Sequence, residues 1–69
     1  MSLRALRETV GRTQGDIARR VSMTQSQLSR VEARRDHLTS TVRKYVRALG
    51  GRIEVAAVLK GQRIVLEGV

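Results

Sequence analysis

Residues 13–34, TQGDIARRVSMTQSQLSRVEAR, constrain this chain more than any other stretch. Thr13 is placed to cap a helix, and Asp16 three residues later suits the positive end of its dipole. Ile17, Ala18 and Val21 form the inner face, and a residue as small as Ala18 lets a following helix cross closely. The helix ends near Val21, and Ser22-Met23 makes the turn, with Met23 packed beneath it. Thr24 opens another helix, in which T-Q-S-Q puts Gln27 at the capping-box position. At 100° per residue, Leu28 and Val31 point inward while Ser26, Ser29, Arg30 and Ala33 point away. Gln25 lies to one side, in the first turn. Exposed helix faces usually carry long charged side chains. This one carries small residues, amides and one arginine, a pattern suited to close approach to another surface.

The flanking sequence supplies the elements that hold these two helices. Ser2 caps a first helix with Leu3, Leu6 and Val10 along one face, and Gly11 ends it. Arg34-Arg35-Asp36-His37 has no period and reads as a loop. Thr39 or Ser40 caps a last helix with Val42, Tyr45, Val46 and Leu49 inward, and Gly50-Gly51 stops it. Helices are therefore expected near 2–10, 14–21, 25–33 and 40–49. The period then changes to two: Ile53, Val55, Ala57 and Leu59 alternate with Arg52, Glu54, Ala56 and Val58, and 63–67 follows as a second strand. The turn falls at Lys60-Gly61 or Gly61-Gln62; pattern alone does not fix the register, because either choice keeps Val55, Ala57, Leu59, Ile64 and Leu66 on one face. Val58 and Val65 make the other face partly apolar. A lone hairpin is marginal in water, so it is expected to pack on the helices and to pair with a second subunit. The fold class is mostly α: four helices followed by a two-stranded antiparallel hairpin.

Sixty-nine residues make one small domain with a modest core, for which oligomerisation is a natural source of further burial. The net charge is +8, and it is uneven. Residues 1–50 hold eleven Arg/Lys against four Asp/Glu, residues 51–69 three against two. Twelve of the fourteen basic residues are arginine, whose fork suits phosphate and guanine. Such a domain most often meets nucleic acid. The one aromatic residue, Tyr45, sits at an inward spacing, and that scarcity argues against single strands, which are held on stacking platforms. No cysteine means no disulfide and no thiolate metal site. The single histidine, His37, has few acids nearby and reads as a loop residue near phosphate rather than a metal ligand. No nucleophile, base and orienting group come together, and no Gly-rich phosphate loop is present, so the chain reads as non-enzymatic with no cofactor and no metal. Without an apolar spanning run or a signal peptide, the expected location is cytoplasmic and nucleoid-associated.

The runs L-R-x-x-x-G-R-T-Q-G-D-I-A-x-x-V and T-Q-S-Q-L-S-R-V-E resemble the lambda/434 Cro-repressor helix-turn-helix family, also called the XRE family, over about Leu3 to Leu49. The ending Y-V-R-A-L-G-G-R-I-E-V with its short hairpin is similar to higBA-type antitoxins, a shorter match. The resemblance implies that Gln25 and Ser26 read base edges from the front of the recognition helix, with Ser29 and Arg30 further along it. Gln14 matches a glutamine that meets phosphate and braces the first base-reading residue. Arg7 and Glu32 match an ion pair tying the first helix to the third. The start of the fourth helix matches a backbone clamp. Two departures stand out: Ser22 replaces the usual turn glycine, and Arg34-Arg35 replaces a common Asn-Gly.

The expected DNA surface follows. Gln25, Ser26, Ser29 and Arg30 are the base-contact set, Arg30 being equally suited to guanine or to phosphate. Gln14, Thr24, Arg34, Arg35, Thr39, Ser40, Thr41 and Arg43 are the phosphate set, drawing on two helix N-termini whose backbone N–H groups attract anions. The bland alternatives are capping hydroxyls and a solvated charge run. Ile53, Val55, Val58, Ile64 and Val65 are the expected dimer interface. Residues 1–50 then form the DNA-binding unit, and 51–69 a dimerising element of the same domain. The function expected is a homodimeric repressor of double-stranded DNA, reading an inverted repeat with half-sites about 10–10.5 bp apart. The alternative is an antitoxin whose main partner is a toxin protein. The chain is shorter than most such antitoxins, so a toxin-gripping segment is expected to be missing.

Overall fold

Each of the first three helices starts at a hydroxyl that the sequence places one residue ahead of it. The computed structural model describes residues 1–68, and Val69, the end of the expected hairpin element, lies outside them. Helix α1 spans Leu3–Val10, α2 Gln14–Arg20, α3 Gln25–Ala33 and α4 Thr39–Ala48; strands β1 and β2 span Val55–Leu59 and Gln62–Leu66. Ser2, Thr13 and Thr24 accept hydrogen bonds from the backbone N–H groups of Ala5, Asp16 and Gln27. At α3 the box is reciprocal: Gln27 Oε1 accepts from the Thr24 N–H at 2.9 Å. Gly11 ends α1 in the left-handed region at φ 78°.

Two details of the helical part differ from the sequence reading. Neither Thr39 nor Ser40 caps α4. Leu38 occupies that position with no side-chain hydrogen bond, and both hydroxyl residues lie inside the first turn. His37 explains the shift: its Nε2 is 2.6 Å from the Val31 carbonyl oxygen, which pins the loop to the end of α3 and fixes where the chain can enter α4. His37 is thus half-buried and spent on a backbone carbonyl rather than presented by an open loop. The turn between α2 and α3 is closed by Ser22 at φ 56°. A serine there bears the left-handed strain that glycine would avoid, so the α2–α3 geometry is kept at a local cost.

The core is small and helical. Ile17, Ala18, Val21, Leu28, Tyr45 and Leu49 are buried, with Leu3, Leu6, Met23 and Ala48 packed around them. Burying a side chain such as Ile17 or Leu28 contributes about 1.5–3 kcal/mol, so these few residues carry most of the apolar stabilisation. Ala18 is 3% exposed beneath the turn, and its carbonyl accepts from Met23 N–H at 2.9 Å.

The hairpin is antiparallel, pairing Val55 with Leu66, Ala57 with Ile64 and Leu59 with Gln62. Lys60 and Gly61 make the turn with φ of 50° and 78°, the doubly positive geometry of the type I′ connection that matches strand twist. The hairpin does not pack on the helices as the sequence suggested. No residue of either strand is buried, and β2 is exposed throughout. The principal contacts of the strands are with each other, and the molecule is elongated, 42 × 22 × 22 Å. The reason lies at Gly50 and Gly51. Gly50 takes φ 87° and turns the chain away from α4, while Tyr45 and Leu49 have already closed the core.

Candidate nucleic-acid interface

Glu32 is the point from which this face is built. Arg7 Nε donates to Glu32 Oε2 at 2.8 Å and Arg7 Nη2 to Oε1 at 3.2 Å, a forked pair joining α1 to α3. The Arg7 Nη1 donates to the Arg12 carbonyl at 2.9 Å, so the same guanidinium also holds the entry to α2. Tyr45 on α4 donates its hydroxyl to Glu32 Oε2 at 2.7 Å. Gln14 Nε2 donates to Oε1 at 3.2 Å. One carboxylate therefore ties all four helices. Burial alone would push the Glu32 carboxyl up, but the donors from Arg7, Tyr45 and Gln14 outweigh it and hold the group below the ordinary carboxylate range. Burial, and then the hydrogen bond to Glu32, push the Tyr45 hydroxyl well above its ordinary value, so it stays a donor.

The network continues to the surface. Gln25 Nε2 donates to Gln14 Oε1 at 3.4 Å, which places the first side chain of α3 against the first side chain of α2. Gln25, Ser26, Ser29 and Arg30 are all exposed on α3. Ser29 lines a cleft with Gln14, Arg4 and Glu32 between α3 and the start of α1. Gln27, by contrast, has its amide oxygen held by the Thr24 N–H of the capping box.

The expected phosphate residues fall into two groups. Gln14 and Thr24 stand at the N-termini of α2 and α3; the Thr24 oxygen already accepts from Gln27, leaving its hydroxyl proton for a further acceptor. Arg34 and Arg35 follow α3, and Thr39, Ser40 and Thr41 form the first turn of α4, whose leading N–H groups meet no capping side chain. Arg34 and Thr41 line the same depression, with His37 between the helices. Arg43 is half-buried further along α4. Among the described residues, Arg30, Arg34, Arg35 and Arg43 form no ion pair, whereas Arg4, Arg19 and Arg52 are matched to Glu8, Asp16 and Glu54. Unmatched charge thus lines α3, the loop after it and α4, with Arg12, Arg20, Lys60 and Arg63 also unpaired elsewhere among the described residues.

The uncapped start of α4 gives a two-sided test. Leu38 is 75% exposed and makes no use of its apolar side chain. Leu38→Ser is expected to stabilise the fold by about 1 kcal/mol through a new N-cap bond. A phosphate at the same N–H groups would then meet a competitor, so DNA affinity should fall while the melting temperature rises. A rise in both would show that this helix end does not hold phosphate.

The expected dimer residues do not form one surface. By the strand register, Val58 and Val65 share one face of the hairpin, and Val55 and Ile64 the other. Val58, Ile64 and Val65 are 73%, 45% and 53% exposed, and Ile53 and Val55 are half-buried near the base. Leu59 and Leu66 add to the Val55–Ile64 face and were left out of that set, although their alternation with the polar residues marks them in the sequence. Sequence reasoning also missed Tyr45 as a polar contributor. An inward spacing identifies the ring as core but says nothing of where the hydroxyl ends.

No helix among the described residues is long and apolar enough to cross a membrane. Among curated proteins, no sequence matches this chain. Several solved structures match it, two of them as follows. One is a HigA antitoxin described by the DNA bending its unique dimerisation induces, with TM-score 0.88 and 26% identity, covering 97% of this chain and 92% of that one. The other is the antitoxin HigA3 bound to DNA, with TM-score 0.85 and 25% identity, covering 100% of this chain and 92% of that one. Both antitoxin chains are slightly longer than this one. The model of the helix-turn-helix domain matches residues 2–59, most of the sequence and all four helices. The chain belongs to the helix-turn-helix domain family.

Proposed function

We propose that the chain is a homodimeric, sequence-specific double-stranded DNA-binding regulator that represses transcription from an inverted-repeat operator. The observation that carries this reading is the exposed polar face of α3, with Gln25 held from behind by Gln14 against the buried Arg7–Glu32 pair. A surface helix that needed only to be solvated would not have its leading side chain braced in this way. In this reading Gln25, Ser26, Ser29 and Arg30 meet base edges. Gln14, Thr24, Arg34, Arg35, Thr39, Ser40, Thr41 and Arg43 follow the phosphates. Residues 1–50 form the DNA-reading unit, and residues 51–69 join two copies about a two-fold axis. Half-sites then lie about one helical turn apart. The protein acts by binding, without catalysis, and works in the cytoplasm on the chromosome.

A second role is favoured by the nature of the two solved structures described above. They are antitoxins, and the hairpin of this chain carries two exposed apolar faces where a dimer need cover only one. Neutralising a toxin protein, with autoregulation of the shared operon, fits that surplus.

Sequencing of sheared genomic DNA retained by the protein at near-physiological salt tests the reading. One inverted repeat should dominate, and a toxin-like reading frame beside the protein's own gene would mark the antitoxin role. Random recovery would sink specific recognition. On the recovered site, Arg30→Ala should relax preference at one base position if Arg30 reads guanine. A uniform loss on all sequences, with the slope of log affinity against log salt reduced by about one, would place it on phosphate instead.

A further inference from the structure

The hydrogen bonds that lead from the core to Gln25 have a direction, and the direction is set by one group. An ionised carboxylate only accepts. Glu32 therefore requires that Gln14 turn its Nε2 inward, where it is 3.2 Å from Oε1. That choice leaves Gln14 Oε1 facing outward, and an amide oxygen also only accepts. Gln25 must then turn its own Nε2 toward Gln14, as it does at 3.4 Å. One N–H of Gln25 is used, so the amide presents its free Oε1 and its second N–H to solvent. We propose that Glu32 and Tyr45, neither of which lies on the exposed face of α3, set the hydrogen-bonding polarity of Gln25 and thereby its preference for adenine over guanine. The inference rests on the reading of α3 as the base-contacting helix.

The chemistry of the bases connects polarity to preference. Adenine offers a donor at N6 beside an acceptor at N7 in the major groove, the complement of an acceptor and a donor side by side. Guanine offers two acceptors, O6 and N7, and would meet the Gln25 oxygen with repulsion. A glutamine free to turn over would present its NH2 group to guanine and lose the distinction. The lock on Gln25 is thus a device against the wrong base.

Tyr45 is the positioning residue at the start of the relay. Its hydroxyl has one proton and two acceptors in reach, the Leu3 carbonyl at 3.1 Å and Glu32 Oε2 at 2.7 Å. The charged, nearer oxygen takes it. With Arg7 Nε on the same oxygen, the carboxylate is fixed in its plane and Oε1 stays aimed at Gln14. Removing the hydroxyl leaves the carboxylate on the Arg7 fork alone, whose contact from Nη2 to Oε1 is the longer at 3.2 Å, so Oε1 loses part of its fixed aim at Gln14.

The test is competition binding of the full chain to a set of duplexes carrying every single-base change in one half-site. Wild type, Tyr45→Phe, Gln14→Leu and the double variant are compared, with a thermal melt for each. Wild type should prefer adenine to guanine by about tenfold at one position, the value of a good bidentate contact. Gln14→Leu, a change at a half-exposed side chain, should bring that ratio to within about twofold. Tyr45→Phe should lower it by about threefold at the same position, with other positions and the salt slope unchanged, and the double variant should be no worse than Gln14→Leu. The relay is overturned if Tyr45→Phe keeps the full ratio, if it weakens all sequences alike, if its effect adds to that of Gln14→Leu, or if Gln14→Leu leaves the ratio intact. Equal binding of wild type to every duplex would overturn the base-reading role of α3 and this inference with it.

Discussion

Glu32→Ala should bring the fold close to its stability limit at room temperature. The Arg7 and Glu32 side chains are 10% and 4% exposed, so little solvent is present to replace the lost partner. Removing one member of a buried pair typically costs about 3–5 kcal/mol, because the surviving charge stays buried without compensation. Here the loss also strips an acceptor from Tyr45 and from Gln14. A chain of this size has a total stability of about 3–10 kcal/mol, so one substitution consumes much of it. Circular dichroism should show the loss of helix, and a well-folded variant would show that the carboxylate is not the tie between helices. Arg7→Met combined with Glu32→Leu should recover much of the stability, since an apolar pair leaves no orphaned charge.

The same carboxylate predicts how the fold responds to acid. Its pKa is lowered by folding from an ordinary 4.5. The stabilisation is therefore fully present above that value and is lost as the pH falls through the lower folded value. Melting temperature should be insensitive to this group from pH 5 to 8 and should drop below about 4.5, with the drop reduced in the Arg7→Met, Glu32→Leu variant.

Val65→Lys should abolish the dimer and with it high-affinity DNA binding. Val65 is 53% exposed in the single chain, so a lysine there costs the monomer within about 0.5 kcal/mol. In a two-fold interface each substitution occurs twice, and two ammonium groups would be brought together in an apolar contact. Light scattering should give a monomer at micromolar concentration. Binding to a full inverted repeat should weaken by about 10²–10⁴-fold, the contribution of linking two half-site contacts, while binding to an isolated half-site stays the same. A variant that remains dimeric would remove the Val58–Val65 face from the interface. Ile64→Lys on the opposite face would then test the other candidate surface.

The helices were legible because their determinants are local. Ser2, Thr13 and Thr24 are hydroxyls within reach of N–H groups three residues ahead, and no distant contact is needed to fix those starts. Gly11 and Gly50 mark ends where the backbone turns left-handed. Periodicity separated Ile17, Leu28 and Tyr45 from the solvent face, and the change to a period of two located the hairpin. Residue types also disclosed the character of α3, since Gln25, Ser26, Ser29 and Arg30 are an unusual choice for a face that only meets water.

The remainder depended on backbone geometry and side-chain contacts that spacing does not encode. The sequence offered two turns for the hairpin, and the type I′ geometry at Lys60-Gly61 selected one. Local preference placed the α4 cap at Thr39 or Ser40, but His37 bonded to Val31 and moved the start to follow Leu38. Apolar alternation suggested that the hairpin would rest on the helices. The helical core, closed by Tyr45 and Leu49, leaves it projecting instead. Most of all, a carboxylate on α3 that joins Arg7, Gln14 and Tyr45 is a convergence in space that no spacing encodes. Local hydrogen bonds and periodicity determined where the elements lie; the meeting of their side chains around Glu32 determined what the exposed face of α3 presents.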